Sequence, residues 1–170
     1  MVLRLGKDVP PLKYYFACDC HNHSNCSPDG DDSILEMRLR AEELGLWAHT
    51  LTDHCECQKF PTRYHSRVER AWEEMAQQLP KESHCRYYRG IELGQPNQDP
   101  EAAREALEGR EYDFIIGSIH NIRGYEDFFF LDYSQVAPDF IDHLLTTYWE
   151  EEQEVIQWGQ FDSLGHLTYP

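Results

Sequence analysis

The stretch Phe114-Ile115-Ile116-Gly117-Ser118-Ile119-His120 decides how this chain is read. A short apolar run of this kind reads as a buried strand, and here it ends on an imidazole. The same order recurs along the sequence. Tyr14 to Asp19 is followed by His21-Asn22-His23, Trp47 to Thr52 by Asp53-His54, and Phe161 to Leu164 by His166. A further strand, Cys85 to Leu93, carries Glu92 near its end. Five predicted strands therefore finish in His, Asp or Glu. In a parallel α/β fold the carboxyl ends of the strands converge on one rim, so these distant residues would meet there. That pattern points to a polynuclear metal site and to hydrolysis.

Helical patterns alternate with the strands. Ser33-Ile34-Leu35-Glu36 matches a capping box, followed by Ile34, Met37, Ala41 and Leu44 at helical spacing and by Gly45 as a stop. Tyr64, Val68, Trp72, Met75 and Leu79 form the apolar stripe of a second helix, ended by Pro80. Asp99 before Pro100 starts a third, which stops near Gly109. Ile141, Leu144, Tyr148 and Val155 mark a long last helix closed by Gly159. The aromatic run Phe128-Phe129-Phe130 reads as an extra strand or a lid. Strand-helix alternation implies a parallel sheet with the helices outside it. A barrel and an open sheet are both allowed, and ligands after five successive strands favour a barrel-like ring. No repeat or linker divides the chain, so residues 1–170 read as one domain.

Composition narrows the function. With 15 Lys and Arg against 31 Asp and Glu, the net charge is −16, which argues against nucleic acid or an anionic membrane as partner. Bound cations would reverse the sign locally, so an anionic substrate stays open. There is no signal-peptide pattern and no run approaching about 20 apolar residues. The six cysteines form no C-x-x-C pair, and read as reduced thiols in a cytoplasmic protein. Cys20, Cys26, Cys55 and Cys57 fall near the site in sequence.

His21 and His23 stand two apart, so on an extended strand end they face the same way and can grip one cation. Asp29 follows in a turn. Asp53 is expected to orient the His54 ring by hydrogen bonding, and Glu56, two residues on from His54, could assist. Glu92 lies between Ile91 and Leu93 in a stretch expected to be buried. A lone buried carboxylate costs several kcal/mol, so Glu92 should hold metal or pair with Arg86 or Arg89. His49, His65, His84 and His143 lack the strand-end context and read as structural or solvated.

These motifs resemble those of the PHP (polymerase and histidinol phosphatase) family, most closely its histidinol-phosphatase branch. The matching segments are Asp19-Cys20-His21-Asn22-His23-Ser24, Ser27-Pro28-Asp29-Gly30, Leu51-Thr52-Asp53-His54, Gly90-Ile91-Glu92-Leu93-Gly94, Ile116-Gly117-Ser118-Ile119-His120 and Leu164-Gly165-His166. The resemblance implies an α/β fold, a distorted (β/α)7 TIM-like barrel with two or three divalent metals (Zn, Mn or Fe) at one rim. It implies His21, His23 and Glu92 on the first metal, Glu92, His120 and His166 on the second, and Asp29 and His54 on a third. Glu92, His120 and Asp53 are then the expected catalytic set, with Arg123 a candidate for binding phosphate.

One departure stands out. Family members are longer and carry a terminal Asp-x-His motif, whereas this sequence stops at Pro170, four residues past His166. The barrel is therefore expected to be incomplete, lacking its last strands and exposing an apolar edge, as in a truncated product. The implied parent reaction is hydrolysis of L-histidinol phosphate, a small phosphorylated substrate, in histidine synthesis. Two rivals are another phosphoesterase acting on nucleotides or sugar phosphates and a non-catalytic metal-binding domain. Amidohydrolases also begin with H-x-H on a barrel, but no lysine stands where their bridging residue would.

Overall fold

The computed structural model describes residues 16–170, so the start of the expected first strand, at Tyr14 and Tyr15, lies outside the described residues. The elements run β1 (Cys18–Asp19), α1 (Ile34–Leu44), β2 (Ala48–Leu51), β3 (His54–Glu56), α2 (His65–Gln78), β4 (Arg86–Gly94), α3 (Pro100–Leu107), β5 (Phe114–Ser118), α4 (Pro138–Trp158) and β6 (Ser163–Leu164). Every pairing is parallel, in the order β1-β2-β4-β5-β6, with β3 also on β4. The result is a half-barrel of parallel strands with helices, an incomplete TIM-like barrel whose outer strands are β1 and β6.

Strand β3 was not separately expected, and its register explains it. Leu51 lies opposite Arg89 and His54 opposite Glu92, so β3 continues β2 along β4 without a slip. The ladder is interrupted only at Thr52 and Asp53. β4 is the longest strand, exposed at Arg86 and buried from Gly90 to Gly94. Its two arginines stay at the far end: the Arg86 guanidinium lies 4.4 Å from the Trp47 ring and that of Arg89 4.4 Å from Trp72. Among the described residues, Glu92 therefore has no arginine partner.

The helix boundaries follow local chemistry. Ser33 and Glu36 form the reciprocal cap of α1, and Gly45 ends it in the left-handed region at φ 67. Asp99 caps α3 by accepting from Ala102 N at 3.0 Å, with Pro100 in the first turn. Val68, Ala71 and Met75 bury the inner stripe of α2, and a buried Val or Met is worth about 1.5–3 kcal/mol. Before α2, the chain makes a 3-10 turn at Cys57–Lys59 and a π turn at Phe60–Tyr64.

The aromatic run is not a strand. Phe128–Phe130 is a 3-10 turn whose start is capped by Asp127, which accepts from Phe129 N at 2.9 Å. Phe128 is buried, while Phe129 and Phe130 are 79% and 71% exposed. Such a short turn satisfies its backbone locally and leaves two rings free at the rim.

Candidate metal centre

Strand alternation sends Ile91 and Leu93 into the hydrophobic core and turns Glu92 to the opposite face of β4. Glu92 is 0% exposed, and five imidazoles surround it. Its Oε2 lies 3.2 Å from His21 Nε2, 3.1 Å from His23 Nε2 and 2.9 Å from His54 Nδ1. Its Oε1 lies 3.3 Å from His120 Nε2 and 3.0 Å from His166 Nε2. The rim brings together all seven residues expected to hold metal. His23 Nδ1 and His54 Nε2 lie 3.0 and 3.3 Å from Asp29 Oδ2.

The H-x-H geometry is built by its middle residue. Asn22 O accepts from Thr52 N at 3.1 Å, its N–H donates to Thr52 Oγ1 at 3.1 Å, and its side chain donates to Thr50 O at 2.7 Å. This extends the β1–β2 pairing past Asp19, so His21 and His23 both turn to the other face. His54 reaches the cluster from directly opposite Glu92 in β3, while His120 and His166 stand two residues beyond the ends of β5 and β6.

Several of these close approaches are not hydrogen bonds. Glu92 Oε2, His23 Nε2 and His54 Nδ1 are buried and lack any partner of hydrogen-bonding geometry. Ligand-type atoms that converge without hydrogen-bonding geometry are the arrangement a shared cation requires. Two ligands on one tetrahedral ion at about 2.0–2.1 Å stand roughly 3.3 Å apart, close to the spacings here. Four such groupings exist among the described residues: His21, His23 and Glu92; His23, Asp29 and His54; His54, Glu56 and His120; Glu92, His120 and His166. The donors are imidazole and carboxylate, a set that suits Zn, Mn or Fe.

Without a cation, charge is shared within the cluster. Burial opposes ionisation of Glu92, yet His120, His166, His21 and His23 hold its carboxyl well below the usual range. Burial likewise disfavours charged His54, but Asp29 and Glu92 outweigh it and hold the ring at about 10. His54 and His23 keep the Asp29 carboxyl low.

Two expected roles are corrected. Asp53 does not orient the His54 ring. Adjacent residues of an extended chain point to opposite faces, and the Asp53 carboxylate accepts instead from Ser24 N (2.7 Å), Ser24 Oγ (2.8 Å) and Ser27 Oγ (2.8 Å). Ser27 Oγ in turn accepts from His54 N at 2.8 Å. Asp53 is the anchor of the loop that carries Asp29. The same loop is packed so tightly that a Cβ at Gly30 would fall 2.0 Å from Ser24 O.

Arg123 is not a phosphate ligand in this geometry. Its guanidinium pairs with Glu154, lies 3.5 Å from Glu151 and donates to Asn97 O at 3.2 Å. α4 presents those carboxylates next to the loop after His120, and they take the charge. Beside the cluster lies a cavity of about 500 Å³ lined by Asp29, His54, Glu56 and His120 together with Lys59, Arg63, Phe129 and Phe130. Lys59 and Arg63 are the cations that face it, and among the described residues neither forms an ion pair. Sequence gave no signal for them, since both precede α2 in turns without a ligand motif.

The remaining histidines stay apart. His49 is buried beside Tyr87, and burial lowers its basicity; His65 pairs with Glu69, and His84 and His143 are exposed. All six cysteines are free, and none joins a metal grouping. Cys55 and Cys57 face the core instead. Among the described residues, no helix is long and apolar enough to cross a membrane.

Fold and site together define a parallel α/β protein with a cluster of His, Asp and Glu side chains at the carboxyl rim that could hold metal. The PHP domain family matches residues 19–170, and the chain belongs to that family. No curated protein sequence matches it significantly. Among solved structures it is similar to histidinol phosphate phosphatase from Lactococcus lactis, complexed with zinc, L-histidinol and phosphate, at 21% identity and a TM-score of 0.60. That match covers 89% of this chain and 58% of the Lactococcus protein. A Listeria monocytogenes protein provisionally described as a histidinol phosphatase matches at 18% identity and a TM-score of 0.62, covering 90% of this chain and 67% of its own. The chain thus spans under two thirds of the Lactococcus enzyme.

Proposed function

We propose that this domain hydrolyses phosphate monoesters at a cation cluster, with L-histidinol phosphate as the leading substrate. The observation that carries this reading is a fully buried carboxylate ringed by five imidazoles whose nitrogens converge on it. His21, His23 and Glu92 would hold one metal, Glu92, His120 and His166 a second, and Asp29 with His54 a third. Bound divalent cations supply Lewis acidity toward phosphoryl oxygens and lower the pKa of water toward about 7. The chain's own contribution is to fix the donors and to shape the neighbouring cavity.

That cavity suits a small phosphorylated molecule. Lys59 and Arg63 offer positive charge at its mouth, where the rest of the chain is strongly acidic. Phe129 and Phe130 provide exposed ring faces for an organic moiety. Asp127, also in the wall, can receive an ammonium group such as that of histidinol. The similarity to the zinc-, histidinol- and phosphate-bound Lactococcus enzyme supports the same substrate class.

The test is phosphate release by metal-loaded protein from a panel containing L-histidinol phosphate, nucleotides and sugar phosphates. Preferential turnover of histidinol phosphate is expected. Protein that demonstrably holds metal but releases phosphate from none of them would favour a purely metal-binding domain.

Two substitutions separate the cations. Arg123→Ala should leave turnover within about twofold, because its guanidinium is held by Glu154, Glu151 and Asn97 O and does not line the cavity. Arg63→Ala should raise KM roughly tenfold with little change in kcat, as expected when about 1.4 kcal/mol of ground-state binding is lost. Steady-state kinetics on both variants checks the pair, and the reverse ranking would restore Arg123 to the binding site.

A further inference from the structure

We infer that Glu56 is a positioning residue for His120, and that Gln95 holds Glu56 and His120 together. His120 is 2% exposed and its two ring nitrogens face different partners. Nε2 points to Glu92 Oε1 at 3.3 Å and His166 Nε2 at 3.2 Å, which is the metal side. Nδ1 lies 2.9 Å from Glu56 Oε1. A neutral imidazole carries one N–H, so a cation on Nε2 requires the proton on Nδ1, donated to Glu56. The carboxylate thereby selects the tautomer and the ring angle.

The surroundings are shaped to hold Glu56 there. In the parallel register Glu56 sits opposite Gly94, and a Cβ at that position would lie 2.5 Å from Glu56 Oε2. The glycine is the recess that the carboxylate occupies. Gln95, the next residue, is 0% exposed and has φ 51, the one positive φ outside glycine among the described residues. Such a backbone persists only where the surroundings enforce it. With its amide oriented to satisfy its neighbours, the Gln95 nitrogen donates to Glu56 Oε2 and its oxygen accepts from the backbone N–H of His120 and, at 3.0 Å, of Asn121. One buried side chain therefore ties the end of β3 to the residues after β5.

This inference rests on the cation cluster proposed above, and the experiment separates the two. Zinc affinity is measured by chelator competition on wild type, Glu56→Ala, Glu56→Gln and Gln95→Gly, alongside imidazole 15N NMR and thermal melts. In Glu56→Ala, zinc affinity should fall roughly 10–100-fold and the exchange-protected His120 Nδ1–H signal should disappear. Glu56→Gln keeps an acceptor and should restore that signal and most of the affinity. Gln95→Gly, which relieves the backbone while deleting the amide, should weaken zinc in the same direction should Glu56→Ala not fold. Unchanged zinc affinity in both Glu56→Ala and Gln95→Gly would overturn the inference. So would Glu56→Gln failing as badly as Glu56→Ala with the Nδ1–H signal intact, since Glu56 would then be a direct ligand. Wild type that takes up no zinc would instead overturn the cluster reading itself.

Discussion

Glu92→Gln is expected to lose bound metal and to lower phosphate release by about 1000-fold or more, which corresponds to roughly 4 kcal/mol of transition-state stabilisation. The reason is that Glu92 alone touches donors from four other strand ends, and both of its oxygens are committed. An amide puts a donor where one lone pair must point and removes the negative charge. The same change should destabilise the metal-free protein. Charged His54 would then keep only Asp29 and charged His120 only Glu56 as counter-charge, and losing the second carboxylate lowers stability. Elemental analysis, a phosphate assay and melts with and without chelator check all three parts. Metal content equal to wild type would remove Glu92 from the centre.

Asp53→Ala carries the second large effect, and the site it damages is one it does not touch. Its carboxylate is the common acceptor for the Ser24 amide and for the Ser24 and Ser27 hydroxyls, all buried. Stranding buried donors costs about 1–3 kcal/mol each, so a stability loss of about 3 kcal/mol or more is expected from the urea midpoint. Ser27 also steadies His54, and the loop carries Asp29, so the His23, Asp29 and His54 grouping should bind metal more weakly. If Asp53 acted by orienting the His54 ring, stability would barely move and only metal affinity would fall. A destabilisation well under 1 kcal/mol would therefore revive the discarded role.

The strand-ending His and Glu positions were legible because strand burial and polar chemistry make opposite demands on one short segment. Ile116 and Ile119 must be apolar, while His120, just past them, need not be, and the change of residue type marks the rim. Glu92 was legible for the converse reason: a carboxylate between Ile91 and Leu93 is intelligible only with a partner. Caps such as Ser33 with Glu36, and stops such as Gly45 and Gly159, were equally plain, since they depend on residues a few positions apart.

Other assignments turned on direction, which a sequence of residue types does not encode. Asp53 and His54 are neighbours, but the pleat sends them to opposite faces. Arg123 stands three residues from His120, yet α4 brings Glu151 and Glu154 to it from far along the chain. Phe128–Phe130 carries a strand-like composition and forms a 3-10 turn because Asp127 caps it.

By itself, then, the amino-acid order determined the parallel α/β class, most helix limits and the seven strand-end positions that meet at the rim, all of which follow from local periodicity and from burial. Only the tertiary structure decided which nitrogen faces which oxygen, that Lys59 and Arg63 rather than Arg123 face the cavity, and that Glu56 faces His120. Those depend on contacts between residues tens of positions apart, whose geometry is fixed by strand register and packing.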